Sequence, residues 1–281
     1  MDKDILSILK QAIKEDMGKG DVTTFLIIPQ DKIIQAEIIF KQPGVICGLS
    51  LVKELFRFLD KDIKFKSKYK DGEKVKSGAK VAYIEGKARV ILIAERVALN
   101  FISHLSGIAT MTREFVEQAC SSRVKIIDTR KTIPNLRQLQ KYAVKCGGGY
   151  NHRFNLNEMV MIKDNHKVAM AGQKSLVDLI RQAKRKTKKI IEVEVENLKE
   201  YRQALLGNPN IIMLDNMKLS DIKKAVKIKS KNRRFSKIKL EVSGNVGLEN
   251  IRKIAKAGVD MISVGSLTHS VRAIDVSLEI K

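Results

Sequence analysis

The sequence predicts an α/β protein in two parts: a mixed α+β region over 1–108, then a region of parallel strands and crossover helices over 109–281. Three observations carry this. The chain has 281 residues, 44% of them hydrophobic, enough to bury one large or two medium domains. From about residue 109, short apolar runs alternate with amphipathic helical stretches, the pattern of parallel strands joined by helices. Each of those runs also ends in a polar cluster.

The first region opens on a helix, with Ile5, Ile8, Leu9, Ala12 and Ile13 at helical spacing, followed by a loop through Gly18, Gly20, Asp21, Thr23 and Thr24. Residues 33–49 alternate as strand, and Leu51, Val52, Leu55, Phe56 and Leu59 place a helix at about 50–60. Turn signals around short apolar pieces over 71–86 predict a small β sandwich or sheet, and helix resumes over 91–106. Six strand cores follow, at 125–128, 159–163, 190–195, 211–214, 238–242 and 261–264. Their ends carry Asp128 to Lys131, Lys163 to His166, Glu194 to Asn197, Asp215-Asn216, Ser243-Gly244-Asn245 and Gly265-Ser266. Parallel strands put all those ends on one face, where α/β enzymes place their chemistry.

Composition narrows the class further. Disordered, collagenous and coiled-coil proteins are excluded, and 54 Lys+Arg against 31 Asp+Glu, net charge +23, predict a surface that attracts anions. Cys47, Cys120 and Cys146 are odd in number and far apart, which indicates neither a disulfide framework nor a zinc knuckle. Charges interrupt the apolar residues of the N-terminus and no 18-residue apolar stretch stands out, so the chain reads as soluble and cytoplasmic, with no membrane partner.

One strand-end cluster alone caps a helix or makes a turn about as often as it binds anything. Six together are selective: Arg130, Lys131, Arg153 and Lys163 suit carboxylates and phosphates, whereas Glu194 and Asp215 are hard oxygen donors that suit Mg²⁺. The turns 243–247 and 264–268 each follow a strand and precede a helix, so their amides suit a phosphate. Neither matches the phosphate-binding loop of nucleotide triphosphatases or the dinucleotide fingerprint.

The segment Asp128-Thr129-Arg130-Lys131-Thr132-Ile133-Pro134-Asn135-Leu136-Arg137, with Gly147-Gly148-Gly149, Asn151-His152-Arg153 and Lys163-Asp164-Asn165-His166, resembles the quinolinate phosphoribosyltransferases. The resemblance runs back through Glu95 to Asn100, His104 to Thr110 and Glu15 to Thr24. It runs forward through Glu192 to Glu196, Leu214-Asp215-Asn216 and the two glycine turns, covering nearly the whole chain. Ile133 and Asn135 stand where the family usually has threonine and glycine.

The resemblance implies an N-terminal open-faced α/β sandwich followed by an incomplete TIM-like α/β barrel, with a C-terminal helix packing back on the N-terminal domain. It implies a homodimer, or a higher oligomer built from it, in which Arg96 reaches in from the partner subunit. The implied reaction joins quinolinate to 5-phosphoribosyl 1-pyrophosphate with Mg²⁺, giving nicotinate mononucleotide, pyrophosphate and CO₂. By position, Arg130, His152, Arg153 and Lys163 line the quinolinate pocket with Lys131 beside them. Glu194 and Asp215 serve the ribose and the metal, directly or through water or pyrophosphate, and Ser243, Gly244, Gly265 and Ser266 hold the 5-phosphate. Lys131, Lys163, Glu194 and Asp215 form the implied catalytic set, with the proton donor open among Lys131, Lys163 and His152. Strand alternation points Glu192, Glu194 and Glu196 the same way, and family spacing selects Glu194. His104 and His166 read as hydrogen-bonded structural histidines.

Charge chemistry agrees with that set. Quinolinate is a dianion with adjacent carboxylates, which arginine forks match better than lysine does. Two rivals stand beside this reading. One is a homologue of the same fold that accompanies molybdenum transport, disfavoured by the intact Asn151-His152-Arg153 and Arg96 motifs. The other is a nucleic-acid-binding protein, suggested by the basic runs 181–189 and 227–239. No tryptophan and few aromatics accompany those runs, so a solvated lysine-rich face is the better reading.

Overall fold

A computed structural model describes residues 3–120 and 123–281. In chain order it runs α1 (Lys3–Met17), α2 (Val22–Ile27), β1 (Ile33–Phe40), β2 (Gly44–Val45), α3 (Leu49–Leu59), β3 (Lys64–Lys66), β4 (Lys74–Val75), β5 (Ala79–Lys87) and α4 (Ala88–Ala119). There follow β6 (Lys125–Ile127), α5 (Arg137–Cys146), β7 (Val160–Ile162), α6 (Asp164–Ala169), α7 (Leu176–Lys186), β8 (Ile191–Val195) and α8 (Leu198–Gly207). The chain ends with β9 (Ile211–Asp215), α9 (Leu219–Ser230), β10 (Lys239–Ser243), α10 (Ile251–Ala255), β11 (Met261–Ser263), α11 (Ser266–His269) and β12 (Val276–Ile280). Two compact units interleave along it: Met1–Arg113 with Thr132–Gly148 and Leu267–Lys281, and Glu114–Lys131 with Gly149–Ser266.

The first unit holds an antiparallel sheet in the order β12-β1-β5-β3. Period-two alternation builds it: Ala36, Ile38 and Phe40 are buried, while Glu37 points outward to Lys80 and Lys281 at 2.9 and 2.6 Å. The expected C-terminal helix is instead strand β12. Val276, Leu278 and Ile280 alternate with Ser277 and Glu279, a strand period, and pair antiparallel with β1. Helix α3 buries Leu51, Val52, Leu55 and Phe56 as their spacing predicts. Its first amides, of Gly48 and Leu49, both donate to Asp71 Oδ1 at 2.9 Å, which caps the helix from a distant loop.

Helix α4 is twice the predicted length, and by length and composition it is apolar enough to cross a membrane. Ile91, Ala94, Ala98, Ile102 and Ile108 along it are fully buried in the protein. Near its middle, Ala109 and Thr112 press on Gly147, where a Cβ would fall 2.5 Å from both; the glycine run therefore serves a tight backbone path. Asn135, standing where the family has glycine, takes a left-handed φ of +65°, a conformation asparagine tolerates better than most residues.

The second unit is a parallel six-stranded sheet in the order β6-β11-β10-β9-β8-β7. The pairing of β11 with β6 wraps the first strand round to the last, and no β6–β7 ladder closes the ring among the described residues. This is the incomplete α/β barrel. The sequence places all six strands to within about two residues, because strands buried on both faces are mostly apolar, with the buried carboxylates Glu192, Glu194 and Glu241 as exceptions. Crossover helices start at side-chain caps such as Ser175 before α7 and Asn197 before α8.

Candidate active site

Parallel strands fix the site's layout. Arg130 follows β6, Lys163 follows β7, Glu194 lies near the end of β8 and Asp215 ends β9. Ser243-Gly244 closes β10 and Gly265-Ser266 follows β11, so all stand at one face of the barrel. Asn151-His152-Arg153 is anchored beside β6, where Tyr150 bridges Ile127 and the His152 amide donates to the buried Asp128 at 2.8 Å.

The arginines are the least compensated charges there. Arg153 is buried, donating to the Met159 carbonyl at 3.1 Å and lying 3.4 Å from the Met161 sulfur. Burial first, and the Arg130 cation second, pull its guanidinium below the usual range. Arg130 Nε is itself buried with no hydrogen-bond partner. Two neighbouring guanidinium groups with donor capacity in reserve make a preformed place for a dianion. Lys163 Nζ lies 3.5 Å from Glu194, and its backbone amide donates to His166 Nδ1 at 3.1 Å.

Beneath this layer, His152 Nε2 lies 2.9 Å from Glu192 and 3.6 Å from Glu241, both fully buried. Burial pushes the Glu192 carboxyl up to about 7 and Glu241 well above the ordinary carboxylate range. Glu241 was missed in the sequence reading of its strand. The available signal was a lone carboxylate inside the apolar run Ile238 to Val242. Glu192 and Glu194 both face the buried interior and Glu196 is exposed, so Glu192 contacts His152 while Glu194 contacts Lys163.

A second group forms at β9 and β10. Asp215 accepts from the Asn216 side chain at 2.7 Å, and the Asn216 amide donates to the Ser243 carbonyl. Gly244, at φ +83°, passes so close that a Cβ would lie 2.1 Å from Asn216 Oδ1; only glycine fits. Gly265 and Ser266 sit at the next strand end, half-buried. Lys131 is exposed, its amide bonded to Thr129 Oγ1. Arg96 lies in the other unit, exposed on α4. His104 in that unit meets Gln140 Nε2 at 2.8 Å, and burial lowers its pKa.

Comparison with known proteins gives a consistent picture. Residues 21–106 match the family model of the N-terminal domain of quinolinate phosphoribosyl transferase, and residues 108–279 match that of its C-terminal domain. The chain is 45% identical over 279 residues to a probable nicotinate-nucleotide pyrophosphorylase [carboxylating] of Methanocaldococcus jannaschii, covering 98% of this chain and 96% of that relative. A Bacillus subtilis protein of the same description is 40% identical over 275 residues, covering 97% of this chain and 92% of its own. Among solved structures, NadC from Streptococcus pyogenes superposes with a TM-score of 0.92 at 40% identity, covering 99% of this chain and 96% of that one.

Proposed function

The chain belongs to the quinolinate phosphoribosyltransferase family, and on that premise we propose that its barrel holds quinolinate at Arg130 and Arg153 and the phosphoribosyl donor at Asp215 and Ser243. It is a nicotinate-nucleotide pyrophosphorylase of NAD biosynthesis, transferring the phosphoribosyl group to quinolinate with loss of CO₂. The observation that carries the site assignment is the Arg130–Arg153 neighbourhood, one guanidinium buried and the other half-buried, with unused donors and no carboxylate bonded to them among the described residues.

Arg130, Arg153, His152 and Lys163, with Lys131 at the rim, fix the two carboxylates and aim the ring nitrogen at ribose C1. Catalysis then comes from alignment and from fixed charges set where charge develops. Ser243, Gly244, Gly265 and Ser266 hold the 5-phosphate through backbone amides and hydroxyls. Departure of CO₂ leaves a carbanion beside the positive ring nitrogen, and Lys131, Lys163 or His152 returns a proton to that carbon. Glu194 and Asp215, at the ends of adjacent strands, fit Mg²⁺, which is ordinarily held by one or two carboxylates together with phosphate oxygens and water. An ion held by these two carboxylates would supply positive charge against the departing pyrophosphate. Arg96, exposed on α4, enters the site of a second copy in a homodimer. The basic runs form solvated surface rather than a footing for nucleic acid or membrane, and three unpaired thiols suit a reducing cytoplasm.

Turnover by purified protein tests this. Nicotinate mononucleotide should form from quinolinate and not from nicotinate, should stop on chelation and should return with Mg²⁺. Equal turnover of nicotinate would refute the dicarboxylate pocket.

A further inference from the structure

Glu241 sits in the middle of β10 with its side chain wholly inside the barrel, 0% exposed, and neither carboxyl oxygen makes a close hydrogen bond: His152 Nε2 stands 3.6 Å from Oε2, with the Ser263 hydroxyl beside it. Glu192, on β8, is equally buried and its Oε1 also lacks a donor, while its Oε2 takes His152 Nε2 at 2.9 Å. The two carboxyl groups and the His152 ring come together, with one polar atom of each lying within 4.8 Å of the others. Two carboxylates offer acceptors only, so contact between them in a dry interior is repulsive; one proton makes it a donor–acceptor pair.

We infer that Glu241 is a positioning residue, held as a neutral acid that donates its proton to Glu192, and that this pair fixes the His152 ring toward the quinolinate pocket. The donor side is decided by surroundings. Glu241 is faced by Glu192, His152 and the Ser263 hydroxyl, with no arginine or lysine among them. Glu192 is faced by Arg153 and Lys163 as well as by Glu194. Burial with no facing cation favours the proton on Glu241, whose pKa is accordingly pushed well up. Glu192 then accepts from Glu241 on one side and from His152 Nε2–H on the other. With its amide held by Asp128 at 2.8 Å, His152 is fixed at both backbone and ring. Removing one partner of a buried hydrogen-bonded pair leaves the other unsatisfied, so the apolar variants should also unfold at a lower temperature. Stability therefore does not separate a structural Glu241 from a positioning one; the split between the KM values of the two substrates does.

The consequence for substrate rests on the quinolinate reading, and the test keeps the two apart. Glu241→Gln retains a donor toward Glu192, whereas Glu241→Leu and Glu241→Met remove it. The Gln variant should keep KM for quinolinate within about threefold of wild type. The Leu and Met variants, folded at the assay temperature though with a lower Tm, should raise that KM about tenfold or more and leave KM for the phosphoribosyl donor unaltered. The chain has only 4 histidines, so ¹⁵N imidazole spectra of the free protein resolve His152, assigned by its loss in His152→Gln. The Nε2–H form should persist in wild type and Glu241→Gln and be lost in the apolar variants. Apolar variants with wild-type KM and an unchanged His152 signal would overturn the inference, as would a Gln variant as impaired as Leu. A stoichiometric divalent ion at this cluster, lost in Glu241→Gln, would also overturn it. If wild-type protein fails to use quinolinate while the His152 signal behaves as stated, the substrate reading falls and the Glu241 assignment stands.

Discussion

The two ends of the barrel strands treat charge in opposite ways. At the amino ends, Asp260 takes the Leu240 amide at 2.8 Å and the Lys229 and Lys239 ammonium groups at 2.9 Å, and Asn210 ties β8 to β9 through the Ile191 amide at 2.9 Å. From mid-barrel to the carboxyl ends, Arg130 keeps an unbonded Nε, Arg153 faces a like charge, and three oxygens of Glu192 and Glu241 lack donors. A protein selected for stability alone would not bury such groups uncompensated, since each costs about 1–3 kcal/mol. The difference separates the end that holds the barrel together from the end proposed to bind a dianion and a phosphorylated sugar.

The largest expected effect sharpens the functional side. Arg96→Ala and Arg130→Ala should each lose activity by about a hundredfold or more while remaining folded. Mixed and allowed to exchange subunits, they should regain about a quarter of wild-type turnover, because half the dimers would carry one intact site of two. No recovery after demonstrated exchange would place Arg96 in its own subunit's site or outside any site.

The smaller effect lies at the other end. Partial burial works to raise Asp260, but the Leu240 amide and the two lysines outweigh it and hold its carboxyl below the ordinary 3.8. A folded pKa below the unfolded one contributes stability that is present above about pH 4 and is lost as pH falls through the folded value. Asp260→Asn should therefore lower stability at pH 7 by about 1–3 kcal/mol, flatten the acid limb of the unfolding curve and leave kcat/KM unchanged. A loss of activity without loss of stability would blur the division between the two ends.

Much of this was legible in the residues. The six barrel strands announced themselves because burial on both faces makes their cores mostly apolar, and the strand-end motifs carried the family's spacing. Glu241 escaped because a strand read as an apolar run averages over one carboxylate; its meaning appears only when β8 and β10 bring Glu192 and His152 against it. The C-terminal strand escaped because β12 is exposed and short, and what makes it a strand is its pairing with β1, distant in sequence. Helix α4 came out short because polar positions after Ser106 broke the apolar periodicity, yet Thr112 turns its hydroxyl back onto the Ile108 carbonyl and stays within the helix.

Arginine forks are proposed to read the two adjacent carboxylates, so the decisive measurement is kcat/KM for quinolinate in Arg130→Lys, which keeps the charge and removes the fork. A fall of about a hundredfold with an unchanged Tm is the predicted result. Activity within about threefold of wild type would contradict it, leaving positive charge alone as the requirement.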